Sequence, residues 1–214
     1  MPDQWLNIPR WRPECPPGLW TSEDSRMFAG LALLCEEDDV FVEVGVFLGG
    51  LVSTISPILM KAKAKYVAVD HFQGDGNECL DSTMTQVYKL VLMGPMVRQT
   101  FEANMRILGL WDWLELLEMP SVVAAQHFDD ESVTVCFLDG DHSVEAVTDD
   151  IAAWWPKVKQ RGAMGGHDWL TGSCGVREAV MKWLDKTPLS LVTSSNCWAV
   201  QKVACDSVRE SVLG

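Results

Sequence analysis

VTVCFLDGDHSVEAVTDDIAAWWPKVKQRGAMGGHD, residues 133–168, decides the fold. Val133 to Leu138 is an unbroken apolar run that ends at Asp139, as a strand buried on both faces does. Beyond it, Val144, Val147, Ile151, Trp154, Trp155 and Val158 recur at the three- and four-residue intervals of a helix with one apolar face. Ala163 to Gly166 then reads as a second strand, ending at His167-Asp168. Two strands joined by a helix of this length make a parallel βαβ unit.

The alternation continues in both directions. Thr21 to Cys35 reads as a helix capped by Thr21 or Ser22. Val40 to Val44 is a buried strand, with Gly45 and a helix to about Lys63 after it, and Tyr66 to Asp70 is the next strand. Phe72 to Thr83 is loop-like, and helices are expected over Met84–Met93 and Val97–Leu108. A short strand at Leu114–Leu117 and a short helix at Ser121–Phe128 precede the opening unit. After it come a helix over Val176–Leu184 and an antiparallel pair, Leu189–Thr193 with Trp198–Val203. The expected fold is an α/β three-layer sandwich around a mostly parallel sheet. One domain spans 21–214. Residues 1–20 form an arm with Trp5, Trp11, Trp20 and five prolines, a composition that excludes a regular helix or central strand.

Composition narrows the function. Thirty acidic residues against 17 Lys and Arg give a net charge of -13. That balance lacks the phosphate-neutralising footprint of a nucleic-acid binder and is repelled by anionic lipid. The expected partner is a small molecule, with neither nucleic acid nor membrane. Seven scattered cysteines without a CxxC pair fit a reducing cytoplasm, with Cys35, Cys136 and Cys197 as small buried hydrophobes. The arm carries too much indole to leave in water, so it is expected to lie over the acceptor side or against a second copy in a homo-oligomer.

In such folds ligands sit beyond the carboxyl ends of the strands. Glu43-Val-Gly-Val-Phe-Leu-Gly-Gly50 lacks the Lys-Ser/Thr of a triphosphate loop, and Phe47 stands where a dinucleotide loop needs glycine. An ammonium-bearing ligand without phosphate accounts for Glu43. Asp70, at the end of the next strand, suits the two hydroxyls of a ribose. Together these features resemble a site for S-adenosylmethionine. On the bland alternative, Gly45 and Gly49 merely permit tight packing and Asp70 caps a turn.

Phe137-Leu-Asp-Gly-Asp-His-Ser143, with Gly162-Ala-Met-Gly-Gly-His-Asp-Trp169, resembles the small bacterial class I S-adenosylmethionine-dependent methyltransferases. The resemblance runs from about residue 25 to 203. It implies a seven-stranded, Rossmann-like sheet with an antiparallel edge strand. It implies that Glu43 and Gly45 line the methionine part, with Phe47 and Gly49 in the same turn. Asp70 would bind ribose, with His71 beside it. Met119 and Ser121 would flank adenine, and Asp139 would face the cofactor.

The acceptor side gathers Asp139, Asp141, His142, His167 and Asp168 at two neighbouring strand ends. Three readings compete. In metal-dependent O-methyltransferases of similar pattern, residues in the positions of Asp139, His167 and Asp168 hold a divalent ion. Because one of these is histidine, manganese is as apt as magnesium. In a metal-free enzyme, Asp141 or His142 is the general base. On a purely structural reading, Asp141 or Ser143 caps the helix that starts near Val144 and His167 is packed. Trp169 reads equally as an acceptor wall or as packing.

Overall fold

The computed structural model describes residues 20–73, 95–172 and 175–203. The arm up to residue 19 and the helix expected over Met84–Met93 lie outside the described residues. Seven strands form one sheet: β1 (Val40–Val44), β2 (Lys65–Val69), β3 (Glu115–Leu117), β4 (Val133–Leu138), β5 (Val158–Gly166), β6 (Leu191–Ser194) and β7 (Cys197–Gln201). Their order is β3-β2-β1-β4-β5-β7-β6. The first five pair in parallel, and the antiparallel pairing is confined to one side of the sheet. There β7 is the reversed strand, and β6 outside it runs with the rest.

Alternation along the strands sends side chains to two helical layers. Phe41, Tyr66, Val135 and Phe137 pack with α1 (Ser22–Ala32), α2 (Gly50–Ala62) and α3 (Pro95–Ile107). Val42, Val67, Cys136 and Met164 pack with α4 (Ser121–Ala124), α5 (Val144–Trp154) and α6 (Val176–Leu184). The three expected cysteines are buried. Trp154 is fully buried, while Trp155 is half-buried edge-on against Trp183, with ring centroids 4.9 Å apart. No described helix is long and apolar enough to cross a membrane.

Among the boundaries that differ from the sequence expectation, three have a clear local cause. α2 begins at Gly50, because Gly45, Phe47 and Gly49 all have positive φ and spend the intervening residues on a turn. α5 ends at Trp154, because Pro156 has no N–H to continue it and Trp155–Lys157 winds into a 3₁₀ turn. β5 starts at Val158, five residues ahead of Ala163. Its first half carries half-buried Lys159 and exposed Gln160 and Arg161, so no apolar run marks it.

Strand order reverses between β1 and β4, which opens a crevice at their carboxyl ends. Gly45 closes the floor. With φ +83° and an added Cβ only 2.1 Å from the Asp139 carbonyl oxygen, this position admits no side chain.

Candidate active site

One half of the crevice is built from backbone. The Gly45 N–H donates to the Val69 carbonyl and the Asp139 N–H to the Val44 carbonyl, each at 2.8 Å, which ties the ends of β1, β2 and β4 together. Asp70 then clasps the glycine turn. Its Oδ2 accepts from the N–H groups of Val46 (3.0 Å) and Phe47 (3.2 Å), and its Oδ1 accepts from Phe72 N–H at 2.7 Å. Burial raises its pKa, and these three N–H groups partly offset the rise. A carboxylate has about four lone-pair sites, so a further donor still fits.

Glu43 lies beneath this turn, 2% exposed, with its carboxyl accepting from the Tyr66 hydroxyl. Burial pushes its pKa well above the carboxylate range, and the nearby charges of Asp139 and Asp70 push the same way. His71 Nδ1 accepts from Gln73 N–H at 3.0 Å, beside Asp70. Met119 packs partly buried against the α5 and α6 layer. The Ser121 hydroxyl accepts from the Trp154 indole at 2.9 Å and bonds the buried Asp150 carboxyl, whose pKa burial lifts to about 6.

The other half is built from side chains. Ser143 caps α5 by accepting from Ala146 N–H, and Asp141 Oδ1 accepts from Ser143 N–H at 2.7 Å. Those bonds hold Asp141 at the helix start. His142 reaches instead between Asp139 and Asp168, its Nε2 lying 3.2 Å from Asp168 Oδ2 and 3.8 Å from Asp139 Oδ1. Neither ring nitrogen of His142 makes an aligned hydrogen bond. Burial disfavours the charged ring, but Asp139 and Asp168 outweigh it and raise the pKa.

His167 stands behind this group. Its Nδ1 is 3.3 Å from Asp168 Oδ2 and 3.9 Å from Asp139 Oδ1. Its Nε2 faces Asp24 Oδ2 at 3.7 Å. Burial opposes its charge, yet Asp168, Asp139 and Asp24 push its pKa up to about 9. Burial is likewise overcome at Asp168, which the two imidazoles and Thr171 hold at about 2. The donor atoms of Asp139, His142 and Asp168 lie within 4.8 Å of one another.

Asp139, His142, His167 and Asp168 therefore meet at one place, with His167 deepest, at 7% side-chain exposure, while Asp141 is held at the start of α5. Trp169 is packed away, 8% exposed, with the Arg177 guanidinium 5.4 Å from its ring centre. Sequence reading missed Asp24, Thr171 and Asn196, which meet the cluster from behind. Of these, only Asp24 carried a signal. The spacing Thr21-x-x-Asp24 marks the capping box that α1 forms, but nothing in it points to His167.

A family model for a methyltransferase domain matches residues 42–169. Among solved structures, the O-methyltransferase NovP is similar at a TM-score of 0.64, with 18% identity over 85% of this chain and 80% of that one. An S-adenosylmethionine-dependent O-methyltransferase from Thermotoga maritima is similar at 0.58, with 16% identity over 88% of this chain and 68% of that one. The TDP-rhamnose 3'-O-methyltransferase of calicheamicin biosynthesis is similar at 0.55, with 14% identity over 83% and 78%. No curated protein matches the chain.

Proposed function

The chain belongs to the S-adenosylmethionine-dependent methyltransferases, and from that premise we propose that it methylates an oxygen of a small molecule. The observation that carries the reading is His142, a half-buried imidazole held between two carboxylates with neither ring nitrogen in an aligned hydrogen bond. Two of the similar structures are, by their own descriptions, an O-methyltransferase and a TDP-rhamnose 3'-O-methyltransferase, which favours a hydroxyl acceptor.

The cofactor lies across the Gly45–Gly49 turn. Asp70 offers its remaining lone pairs to the ribose, with His71 beside it. Glu43 underlies the methionine end, its carboxyl held by the Tyr66 hydroxyl. Met119 and Ser121 flank the adenine. An acceptor oxygen aligned with the sulfonium attacks the methyl carbon, and the carbon–sulfur bond breaks with its electron pair left on sulfur. The hydroxyl proton passes to neutral His142, which Asp168 and Asp139 stabilise as it becomes charged. Asp141 stays with the helix cap.

A second reading has its own observation. Two carboxylates and one imidazole within 4.8 Å suit magnesium or manganese, with Asp139, His142 and Asp168 as ligands and His167 behind them. Such an ion supplies charge that lowers the pKa of an acceptor hydroxyl. Labelled methyl transfer from S-adenosylmethionine to a panel of sugar and phenolic hydroxyls tests both readings, run with and without chelator. Transfer that survives chelator supports His142 as base, and transfer that returns only with manganese or magnesium supports the ion. Labelling of amines or of RNA in place of hydroxyls would overturn the proposal.

A further inference from the structure

Asp168 follows β5 with φ +60°, a left-handed backbone that a residue with a side chain rarely adopts unless its surroundings hold it there. Those surroundings come from the turn between β6 and β7. Asn196 in that turn accepts at its carbonyl from Trp169 N–H (3.0 Å) and at its amide oxygen from Leu170 N–H (2.6 Å). The second bond sets which end of the amide carries oxygen, so Nδ2 faces Thr171 Oγ1 (3.2 Å) and Asp168 Oδ1 (3.4 Å). The Thr171 hydroxyl donates to the same Oδ1 at 2.8 Å. Asn196 is itself anchored, its N–H donating to Asp24 Oδ1 at 3.0 Å.

We infer that Asn196 and Thr171 are positioning residues that aim Asp168 at His142. Two donors occupy Oδ1 and fix the rotation of the carboxylate. Oδ2 is thereby presented to His142 Nε2 at 3.2 Å and His167 Nδ1 at 3.3 Å. Without them the carboxylate turns about its broad terminal torsion and shares its oxygens differently between the two rings. The inference rests on the reading of Asp168 as the partner of His142, and it holds whether a proton or an ion occupies the cluster.

The test uses the full chain labelled with ¹⁵N-histidine, whose four histidines are assigned by single His→Gln changes. Thr171→Val keeps the shape and removes the hydroxyl, and Asn196→Asp turns the amide into a second acid facing Asp168. Both are expected to move the ring resonances of His142 and His167 and to leave those of His71 and His127 in place. Thr171→Ser, which restores the hydroxyl, is expected to return the wild-type rings. In an Asp168→Asn background, Thr171→Val is expected to move nothing further. The inference fails if the two rings stay put, if Ser disturbs them as much as Val, or if the shift persists without Asp168. Calorimetry with S-adenosylhomocysteine runs alongside. Loss of its affinity in Thr171→Val would mean a general collapse and overturn the assignment. A wild-type protein that fails to bind it sinks the cofactor reading, while the ring shifts still decide the role of Asn196.

Discussion

The two halves of the crevice solve one electrostatic problem by different means. Beyond β1 and β2, Asp70 is stabilised by three backbone N–H groups that its own neighbourhood supplies. Beyond β4 and β5, Asp139 and Asp168 are balanced by His142 and His167, and the His167 ring is shared with Asp24 from α1. Backbone donors have fixed positions and no charge to lose, so in the first half it is the carboxyls that titrate, and burial raises the pKa of Asp70 and Glu43. Imidazoles exchange protons near neutrality, so the second half can take up and release one. On the proposed function, a binding cradle and a proton-handling cluster stand side by side, joined where Gly45 approaches the Asp139 carbonyl.

The largest expected effect separates the halves outright. His142→Ala or Asp168→Ala should cut turnover by about 10²–10⁴-fold, the usual cost of a lost general base, while calorimetry finds S-adenosylmethionine affinity unchanged. Equal losses of affinity and turnover would mean that the halves are not separable. Gly45→Ala attacks the seam. Left-handed strain and the clash with the Asp139 carbonyl should together cost about 4 kcal/mol, read as a lower denaturant midpoint. Wild-type stability in that variant would show that β1 and β4 are not locked there.

A pH scan should then set the halves apart in the wild-type protein. The His167 pKa rises on folding from the ordinary 6.5 to about 9. Its stabilisation is therefore complete below pH 6.5 and lost as pH climbs through about 9, roughly 3 kcal/mol in all. Asp168, lowered to about 2, loses its share only as pH falls below the ordinary carboxylate range. Urea unfolding at pH 6 and pH 9.5 measures the alkaline loss, and His167→Gln should reduce it, leaving the part that the raised pKa of His142 contributes. The smallest effect concerns the cradle. Asp70→Ala should weaken S-adenosylmethionine by roughly 1.5–3 kcal/mol, and an unchanged dissociation constant would place the ribose elsewhere.

Much of the fold was legible because its signals are local. Val133 to Leu138 could only be a buried strand, and the apolar spacing from Val144 to Trp154 only a helix against it. The first half of β5 was not legible, because Lys159 to Arg161 pair through backbone while their side chains stay largely wet. The start of α2 was hidden for a related reason. Phe47 takes a positive φ that its residue type does not announce, held there by Asp70 from the next strand.

The site divides along the same line. The sequence by itself determined that Glu43, Asp70, Asp139, His142, His167 and Asp168 stand at strand ends, because hydrophobic periodicity sets where strands stop and a parallel sheet brings those ends to one edge. Only the tertiary structure decided what each then does. It sank Glu43 against Tyr66, tied Asp141 and Ser143 to a helix cap, and turned His142 between two acids. It brought Asp24 and Asn196, 172 residues apart in the chain, into one hydrogen bond behind His167 and Asp168. Contacts of that span depend on how α1 and the β6–β7 turn pack on the sheet, and no local pattern of residues encodes the distance between them.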